Sequence, residues 1–272
     1  MGRMQRREGP TAIGKYGIIQ PIMDGIKLIS KESIIPSSTN KLYYIGSPII
    51  SILLSMIIFG IIPIYNKYTI NKENSILLIL AILSINIYSV LYGGWGSNSK
   101  YSIIGSIRSI SQLISYEISI GIIIMSIIYI NKEHIINKII YKQIYIPNII
   151  ILFPIFIFLF ISIIAETNRP PFDLPEAESE LIAGYIVEYG GFKFGAIYLA
   201  EYLYIYFFSV LLTTLFIGIP SYQSIISYII VYSIIWIRAS EPRIKYQDLI
   251  RFGWLSLLPG SILFFLLYYF LY

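Results

Sequence analysis

Seven long apolar segments dominate this sequence and limit what it can fold into. Each holds about 20 largely apolar residues, the length that an α-helix needs to cross the hydrocarbon core of a bilayer. A chain that is 56% hydrophobic and 13% charged carries more apolar surface than a soluble core of this length needs. The sequence therefore predicts membrane spans at residues 42–62, 75–92, 103–128, 144–164, 194–217, 222–237 and 254–272.

These segments are predicted to be helices and not barrel strands. They are too long and too continuously apolar for the alternation of a transmembrane barrel, and a helix satisfies its own backbone hydrogen bonds in lipid. We expect an all-α membrane protein forming a single integral membrane domain over residues 1–272. Residues 1–41 form a segment on the inner side with an amphipathic helix, and residues 42–272 hold the transmembrane helices and loops.

The basic residues predict the orientation of the chain. Between the predicted spans, most of the 20 Lys and Arg residues fall on the side of the membrane that holds the N-terminus. The positive-inside rule places this side in the cytoplasm or an organelle matrix. The basic N-terminus is not followed directly by an apolar run with a cleavage site, so a secretory signal is not expected.

Cysteine and histidine usage excludes several kinds of redox site. The chain has no cysteine, so it offers no thiolate for an iron–sulfur cluster, a disulfide or a structural zinc site. The one histidine, His134, cannot ligate a haem from two sides and is expected to be solvated in the loop NKEHIINK. If the chain takes part in redox chemistry, the electron carriers lie elsewhere.

Residues 16–31, YGIIQPIMDGIKLISK, are too short to span and predict a helix lying in the membrane interface. Isoleucines recur along one helical stripe, at Ile18, Ile22, Ile26 and Ile29. An ordinary lipid-facing anchor is the plain interpretation. Asp24 favours a partner instead, because a lone acid pressed against lipid or protein is costly.

Two glutamates, Glu117 and Glu201, fall well inside predicted spans. An ionisable group at such depth costs about 2.5–3.5 kcal/mol on insertion scales, so it usually faces protein or water and marks an ion pathway. Neither glutamate has a cation on its own helical face, so a partner must come from another helix. The alternative is an interhelical hydrogen bond that only fixes packing.

The stretch IIAETNRPPFDLPEAESELIAGYIVEY, residues 163–189, gathers six of the 15 acidic residues. Pro170 and Pro171 end the preceding span. If the following PEAESELIAGY is helical, Asp173, Glu176 and Glu180 share one face and repel unless protons or cations intervene. A solvated loop is one interpretation; the apolar LIAGYIV within it favours a loop that folds back into the protein.

Several motifs of the sequence carry a family resemblance. They are QRREGP, QPIMDGIKLISKE, GWGSNSKYSIIGSIRSISQLISYE, AETNRPPFDLPEAESELIAGYIVEY, LAEY and WIRASEPRIKYQDL. In this order they resemble chain 1 of NADH:ubiquinone oxidoreductase, the membrane subunit at the foot of respiratory complex I. The resemblance runs from about residue 4 to the C-terminus.

The resemblance implies roles for individual residues. Members of the family form part of the ubiquinone chamber and start the path of buried acids that couples quinone reduction to proton translocation. Positions matching the quinone passage are Arg7, Asp24 and Lys27. Positions matching the acidic path are Glu117, Glu166, Asp173, Glu176, Glu178 and Glu201. Structural or interface roles are expected for Arg108, Arg169, Glu180, Glu188 and Arg238, and the three arginines are expected to pair with the acids or with a partner subunit.

The resemblance also implies partners and location. The chain is expected in the mitochondrial inner membrane with its N-terminus in the matrix, as a subunit without a complete catalytic centre of its own. Ubiquinone is the expected substrate, and no metal, FMN or iron–sulfur cluster is expected on this chain. The expected partners are the quinone-site and terminal-cluster subunits, the proton-pumping membrane subunits and lipid, with no nucleic acid.

One departure from the family pattern concerns the N-terminus. Family members begin with a further transmembrane helix that ends in a Glu-Arg-Lys-like segment, where this sequence has only MGRM before the QRREGP motif. Either a separate small chain supplies that helix or another subunit fills its place; the hypothesis favoured by the clean start of the resemblance is a separate small chain from a split gene.

The rival interpretation from the residues alone is an autonomous ion or solute transporter, in which buried acids and broken helices are also normal. No convincing internal repeat supports it, and the broad basic surface on one side favours a docked soluble partner. A passive membrane anchor would leave Glu117 and Glu201 without a purpose.

Overall fold

The computed structural model describes residues 2, 4–9, 13–14, 17–62, 74–144, 146–173, 184–218 and 222–271. All regular secondary structure in these ranges is helical, which confirms the predicted all-α membrane fold. The helices are α1 (Gln20–Ser30), α2 (Lys41–Ile61), α3 (Ser75–Ser97), α4 (Lys100–Asn131), α5 (Ile136–Gln143), α6 (Asn148–Ile151), α7 (Phe153–Glu166), α8 (Gly191–Phe216), α9 (Gln223–Ser240), α10 (Tyr246–Phe252) and α11 (Leu258–Leu271). A 3₁₀ turn, Gly184–Ile186, precedes α8, and a π-helical segment, Gly253–Leu257, joins α10 to α11.

Six helices in the described ranges are long and apolar enough to cross a membrane: α2, α3, α4, α8, α9 and the continuous run Tyr246–Leu271. They correspond to six of the predicted spans. The helices α3 and α4 run further than predicted, to Ser97 and Asn131, because polar and glycine residues at their ends are still packed against neighbouring helices.

The predicted span at residues 144–164 is wrong in its length and continuity. The structure divides it into α6 and α7, and the 14 residues of α7 extend about 21 Å, less than the roughly 30 Å of a hydrocarbon core. Pro154 explains the break, since it lies in the first turn of α7 and has no N–H to donate to the preceding turn. Leu152 between the two helices leaves helical geometry, at φ −109° and ψ 28°.

The amphipathic helix predicted at residues 16–31 is present as α1. It has no buried residue, and the isoleucines of its stripe are exposed on the described chain, as at Ile22 and Ile26. It lies against α8, where Leu28 is 3.4 Å from the position of a Cβ built on Gly195. This placement leaves an apolar face available to lipid or to a partner.

Helix α4 is the centre of the bundle, in contact with α3, α7, α11 and the 3₁₀ turn. Two glycines allow the closest approaches. A Cβ on Gly96 of α3 would lie 2.6 Å from the Tyr44 nitrogen of α2, and one on Gly105 of α4 would lie 2.8 Å from the backbone at Gly184 and Tyr185. These contacts bring α2, α3 and the turn before α8 together around one interior space.

Aromatic side chains close this part of the bundle from one side. The rings of Tyr44 and Tyr189 stack at 4.4 Å, and the Tyr189 hydroxyl donates to the Tyr44 carbonyl at 3.2 Å. Burial raises the pKa of Tyr189 above its usual value, so the phenol stays protonated and keeps this hydrogen bond. The Tyr44 hydroxyl in turn donates to the Glu188 carbonyl at 2.7 Å.

Candidate functional site

A polar cavity lies inside the bundle, between α2, α3, α4, α8 and the end of α7. Its empty space is about 520 Å³, open solvent at its mouth included. Apolar side chains form much of the wall, and its polar lining comes from Ser51, Asn86, Ser89, Glu166, Thr167, Asn168, Tyr185, Glu201 and Tyr204. Two of the predicted acidic-path residues, Glu166 and Glu201, therefore face one common space.

An ion pair between Arg169 and Glu201 stands at this cavity. The Arg169 Nη2 lies 3.4 Å from Glu201 Oε2, and the side chains are 3% and 17% exposed. The Tyr185 hydroxyl donates to the other carboxylate oxygen, Oε1, at 3.3 Å. The guanidinium also lies over the Tyr202 ring, 4.7 Å from its centroid. Removing one partner of such a buried pair leaves an uncompensated charge, which is strongly unfavourable.

The local sequence explains how a loop arginine reaches the interior. Helix α7 ends at Glu166, and Asn168 takes a positive φ of 50°, a conformation that asparagine tolerates better than most residues. The helix cannot continue past this residue, and the Arg169 nitrogen donates to the Ile164 carbonyl at 3.4 Å, which holds Arg169 against the last turn of α7. The sequence placed Arg169 among the loop charges; the structure buries it to 2% exposure.

Glu166 is the most enclosed acid of the cavity, at 7% exposure on the last residue of α7. It is close enough to Glu117 and to Tyr204 for electrostatic interaction. Within the described ranges, neither Glu166 Oε2 nor the Tyr204 hydroxyl has a hydrogen-bond partner. A negative charge is costly here, because the site is buried and the C-terminal end of a helix carries negative partial charge.

Glu117 lies half-buried on α4, which packs against α7. One turn further along the same face of α4, the helix surface is open, since a Cβ built on Gly121 would meet nothing within 4 Å. An apolar groove continues from there between α4 and α11, lined by Ile118, Gly121, Ile122, Met125, Ile262 and Phe265. Glu117 therefore stands between the buried carboxyl of Glu166 and the outer surface of the chain.

Asp173 is 3% exposed and pairs with Arg243, with 3.5 Å between Oδ2 and Nη2. The pair fastens the loop after α7 to the segment between α9 and α10, where the Ile244 nitrogen also donates to the Pro171 carbonyl at 3.1 Å. The other predicted loop acids, Glu176, Glu178 and Glu180, lie outside the described residues, as does most of the helix predicted for PEAESELIAGY.

The residues predicted for interfaces are dispersed. The Arg108 guanidinium lies over the Tyr246 ring, 5.6 Å from its centroid. Arg238 is half-buried in the last turn of α9, and Glu188 is half-buried before α8, where its backbone carbonyl accepts from Tyr44. These three residues do not line the cavity.

The predicted quinone residues lie on the outside of the described chain. Arg7 is exposed and donates to Gln5 Oε1 at 2.5 Å, and Gln5 reaches the Ala239 carbonyl at the end of α9. Asp24 and Lys27 are exposed on α1, and Asp24 accepts a hydrogen bond from Gln20 at 3.0 Å. The structure does not bring these residues to the acid cavity.

Three contributors to the site were missed by the sequence reasoning: Tyr185, Tyr204 and Gln112. The tyrosines were counted as apolar residues, although a buried phenol needs a hydrogen-bond partner. Gln112, fully buried in α4, donates to the carbonyls of Ala165 and Phe172 at 2.8 and 2.9 Å. An amide in the middle of a predicted span was the available signal. Among the described residues, no group of three or more His, Asp or Glu side chains could hold a metal ion.

Comparisons with known proteins give a consistent result. A family described as NADH dehydrogenase matches residues 1–269. The chain is 42% identical to NADH-ubiquinone oxidoreductase chain 1 of Chondrus crispus over 96% of this chain and 85% of that protein. It is 42% identical to the protein of the same name in Dictyostelium citrinum, over 97% and 83%. It is also 41% identical to the protein of that name in Metridium senile, over 97% and 83%.

Proposed function

Because this chain belongs to the NADH dehydrogenase family, with relatives named NADH-ubiquinone oxidoreductase chain 1, we propose that it is a core membrane subunit of respiratory complex I. It acts as a multi-pass protein of the inner membrane within a proton-translocating NADH:ubiquinone oxidoreductase. Its own part is to couple the reduction of ubiquinone to proton movement through buried acids.

The observation that carries this proposal is the shared cavity of Glu166 and Glu201. Glu201 has a counter-charge, Arg169, at 3.4 Å, whereas Glu166 Oε2 has no hydrogen-bond partner within the described ranges. Two carboxyl groups in such different surroundings ionise at different cost, so a proton can pass between them through the cavity. Glu117 extends the path toward the outer surface.

The electrons reach ubiquinone from a carrier in a neighbouring subunit, since this chain has no cysteine to hold a cluster. Reduction to ubiquinol takes up two electrons and two protons, so the groups of the quinone chamber that give these protons change their charge. The loop acids respond by moving protons or by rearranging, which requires that they interact differently with quinone and quinol. Asp173, Glu176 and Glu178 are the loop acids that we assign to this path.

The quinone passage runs along residues 1–41, the segment on the inner side of the membrane, and the N-terminus of this segment lies in the matrix. The exposed apolar face of α1 supports this proposal, because a quinone tail needs an apolar surface beside polar groups. Arg7, Asp24 and Lys27 supply those groups. The interface residues Arg108, Glu180, Glu188 and Arg238 contact other subunits of the complex, and Arg169 fixes the loop through its ion pair.

The decisive variant is Glu201→Gln in the intact complex, a change that keeps the volume and removes the charge. We expect a lower thermal stability of the complex, because Arg169 loses its counter-charge. NADH oxidation by an artificial acceptor, per assembled complex, should stay unchanged, while the NADH:ubiquinone rate falls about tenfold or more, because a positioned proton-transfer group contributes at least this much. The matched control is Glu133→Gln, outside the cavity, where Glu133 pairs with Lys138 and Lys142. Equal quinone rates in the two variants would count against the proposal.

The quinone passage has a separate experiment. Asp24→Asn removes a charge from the exposed face of α1 and should raise the KM for ubiquinone about tenfold or more, which is what one hydrogen bond to a charged group contributes, with little change in kcat. Asp248→Asn, also exposed, serves as the control. An unchanged KM and unchanged inhibitor sensitivity in Asp24→Asn would remove Asp24 from the passage.

A further inference from the structure

The side-chain amide of Gln112 connects the two ends of the turn that follows α7. Its Nε2 donates to the Ala165 carbonyl at 2.8 Å and to the Phe172 carbonyl at 2.9 Å. Gln112 is fully buried in the middle of α4. One rigid helix therefore holds both ends of an eight-residue segment by means of a single planar group with two donors.

The segment held in this way carries the charged residues of the cavity. Glu166 directly follows Ala165, Arg169 lies at the middle of the turn, and Asp173 directly follows Phe172. Within the turn, the Asn168 nitrogen donates to the Ala165 carbonyl at 3.2 Å, and the Phe172 nitrogen donates to the Arg169 carbonyl at 2.8 Å. The two carbonyls that Gln112 binds are thus the fixed points from which Glu166 and Arg169 project.

A second glutamine offers a close comparison at another place in the bundle. Gln143 of α5 is 1% exposed, and its Nε2 donates to the carbonyls of Thr214 and Leu215 at 3.1 and 2.9 Å. These carbonyls belong to the last turn of α8 and carry no ionisable neighbour in sequence. Gln143 and Gln112 are therefore both buried, and each donates to two backbone carbonyls. They differ because the segment bound by Gln112 carries charged residues and the segment bound by Gln143 does not.

We propose that Gln112 is a positioning residue for proton-coupled quinone reduction: by binding the carbonyls of Ala165 and Phe172 it sets the distance of the Arg169 guanidinium from Glu201 and the place of Glu166. This inference rests on the proposed function. Loss of the two hydrogen bonds lets the turn relax, so that the ion pair of 3.4 Å lengthens while the helices around it remain packed.

The experiment compares Gln112→Met with Gln143→Met in the complete complex. Methionine has nearly the shape of glutamine and no N–H to donate. The quantity measured is the NADH:ubiquinone rate divided by the NADH:artificial acceptor rate, which corrects for the amount of assembled complex. We expect Gln112→Met to lower this ratio on the order of tenfold and Gln143→Met to leave it unchanged.

A double-mutant cycle separates positioning from general weakening. Arg169→Lys keeps the charge and loses the guanidinium fork, so it disturbs the same ion pair by another route. If Gln112 acts through Arg169, the double variant Gln112→Met/Arg169→Lys has a ratio at least about threefold higher than the product of the single effects. Gln143→Met combined with Arg169→Lys should give the product itself.

Several results would overturn the proposal. One is an unchanged ratio of ubiquinone to artificial-acceptor activity in Gln112→Met. Another is a double variant Gln112→Met/Arg169→Lys whose activity ratio equals the product of the single effects. If Gln112→Met does not assemble, Gln112→Glu replaces it, since it keeps the shape with at most one donor. Failure of both to assemble would make Gln112 a folding residue only. If Glu201→Gln keeps full quinone activity, the proposed function fails; if Glu201→Gln loses it and Gln112→Met does not, only this inference fails.

Discussion

Two interior regions of this bundle both bury polar side chains, and they do so for different purposes. Near the ends of α5 and α8, Gln143 and Asn148 donate to backbone carbonyls of the last helical turn. Around the end of α7, Arg169 and Glu201 form an ion pair beside the buried Glu166. The first region satisfies the backbone of a helix end, which the fold requires. The second region keeps charged groups in the interior. Folding alone does not require them, because a pair of hydrophobic residues could replace the ion pair.

Among the variants that test this difference between the two regions, Arg169→Met should have the largest effect. It leaves Glu201 without its counter-charge in the cavity, and breaking a buried pair destabilises by about 3–5 kcal/mol. We expect a clear fall in the thermal stability of the complex. The double variant Arg169→Met/Glu201→Met should recover most of that stability and none of the proton pumping. Recovery of pumping would show that the ion pair serves only the fold.

A smaller effect is expected from Gly218→Ala in the backbone-satisfying region. Gly218 has a φ of +58°, and a Cβ there would lie 2.5 Å from Gln143 Cβ. The strained backbone and the clash should cost about 1–3 kcal/mol of stability. The ratio of quinone to artificial-acceptor activity should not change, because no charge of the cavity is disturbed. A selective loss of quinone activity would remove the distinction between the two regions.

The smallest expected effect is that of Arg243→Gln. Arg243 is 45% exposed and pairs with the buried Asp173 at 3.5 Å, so solvent screens much of the attraction. We expect a loss of no more than about 1 kcal/mol, further reduced at high ionic strength. Melting temperatures of the complex at low and high salt would measure it. A loss comparable to that of Arg169→Met would place Asp173 among the strongly coupled charges.

The sequence predicted the membrane helices and the acids within them well, because both signals are local. An uninterrupted apolar run of sufficient length predicts a span wherever it occurs. Acidic residues inside such a run, as Glu117 and Glu201 are, are easily recognised. The break between α6 and α7 was not predicted, because a hydropathy value describes the side chain and does not reflect the backbone N–H that Pro154 lacks. Backbone chemistry, and not side-chain hydropathy, sets the length of α7.

The partner of Glu201 could not be predicted, because Arg169 lies 32 residues away in sequence. The resemblance implied that Arg169 pairs with an acid or with a partner subunit, but positive-inside counting treats every loop arginine as solvated, and the sequence did not indicate which acid Arg169 meets. Tyr185 and Gln112 reach the site from the turn before α8 and from α4, and only the packing of four segments brings them together. The predicted roles of Arg7, Asp24 and Lys27 remain predictions, since they lie apart from the cavity.

We propose that buried carboxyls couple quinone reduction to proton movement. The number of protons translocated per NADH oxidised by the complex in sealed vesicles measures this coupling, with Glu201→Gln compared with Glu133→Gln. We expect an unaltered stoichiometry for Glu133→Gln and a marked loss of translocation for Glu201→Gln, with acceptor-linked NADH oxidation intact. Full translocation in the Glu201→Gln complex would mean that Glu201 plays no part in proton movement.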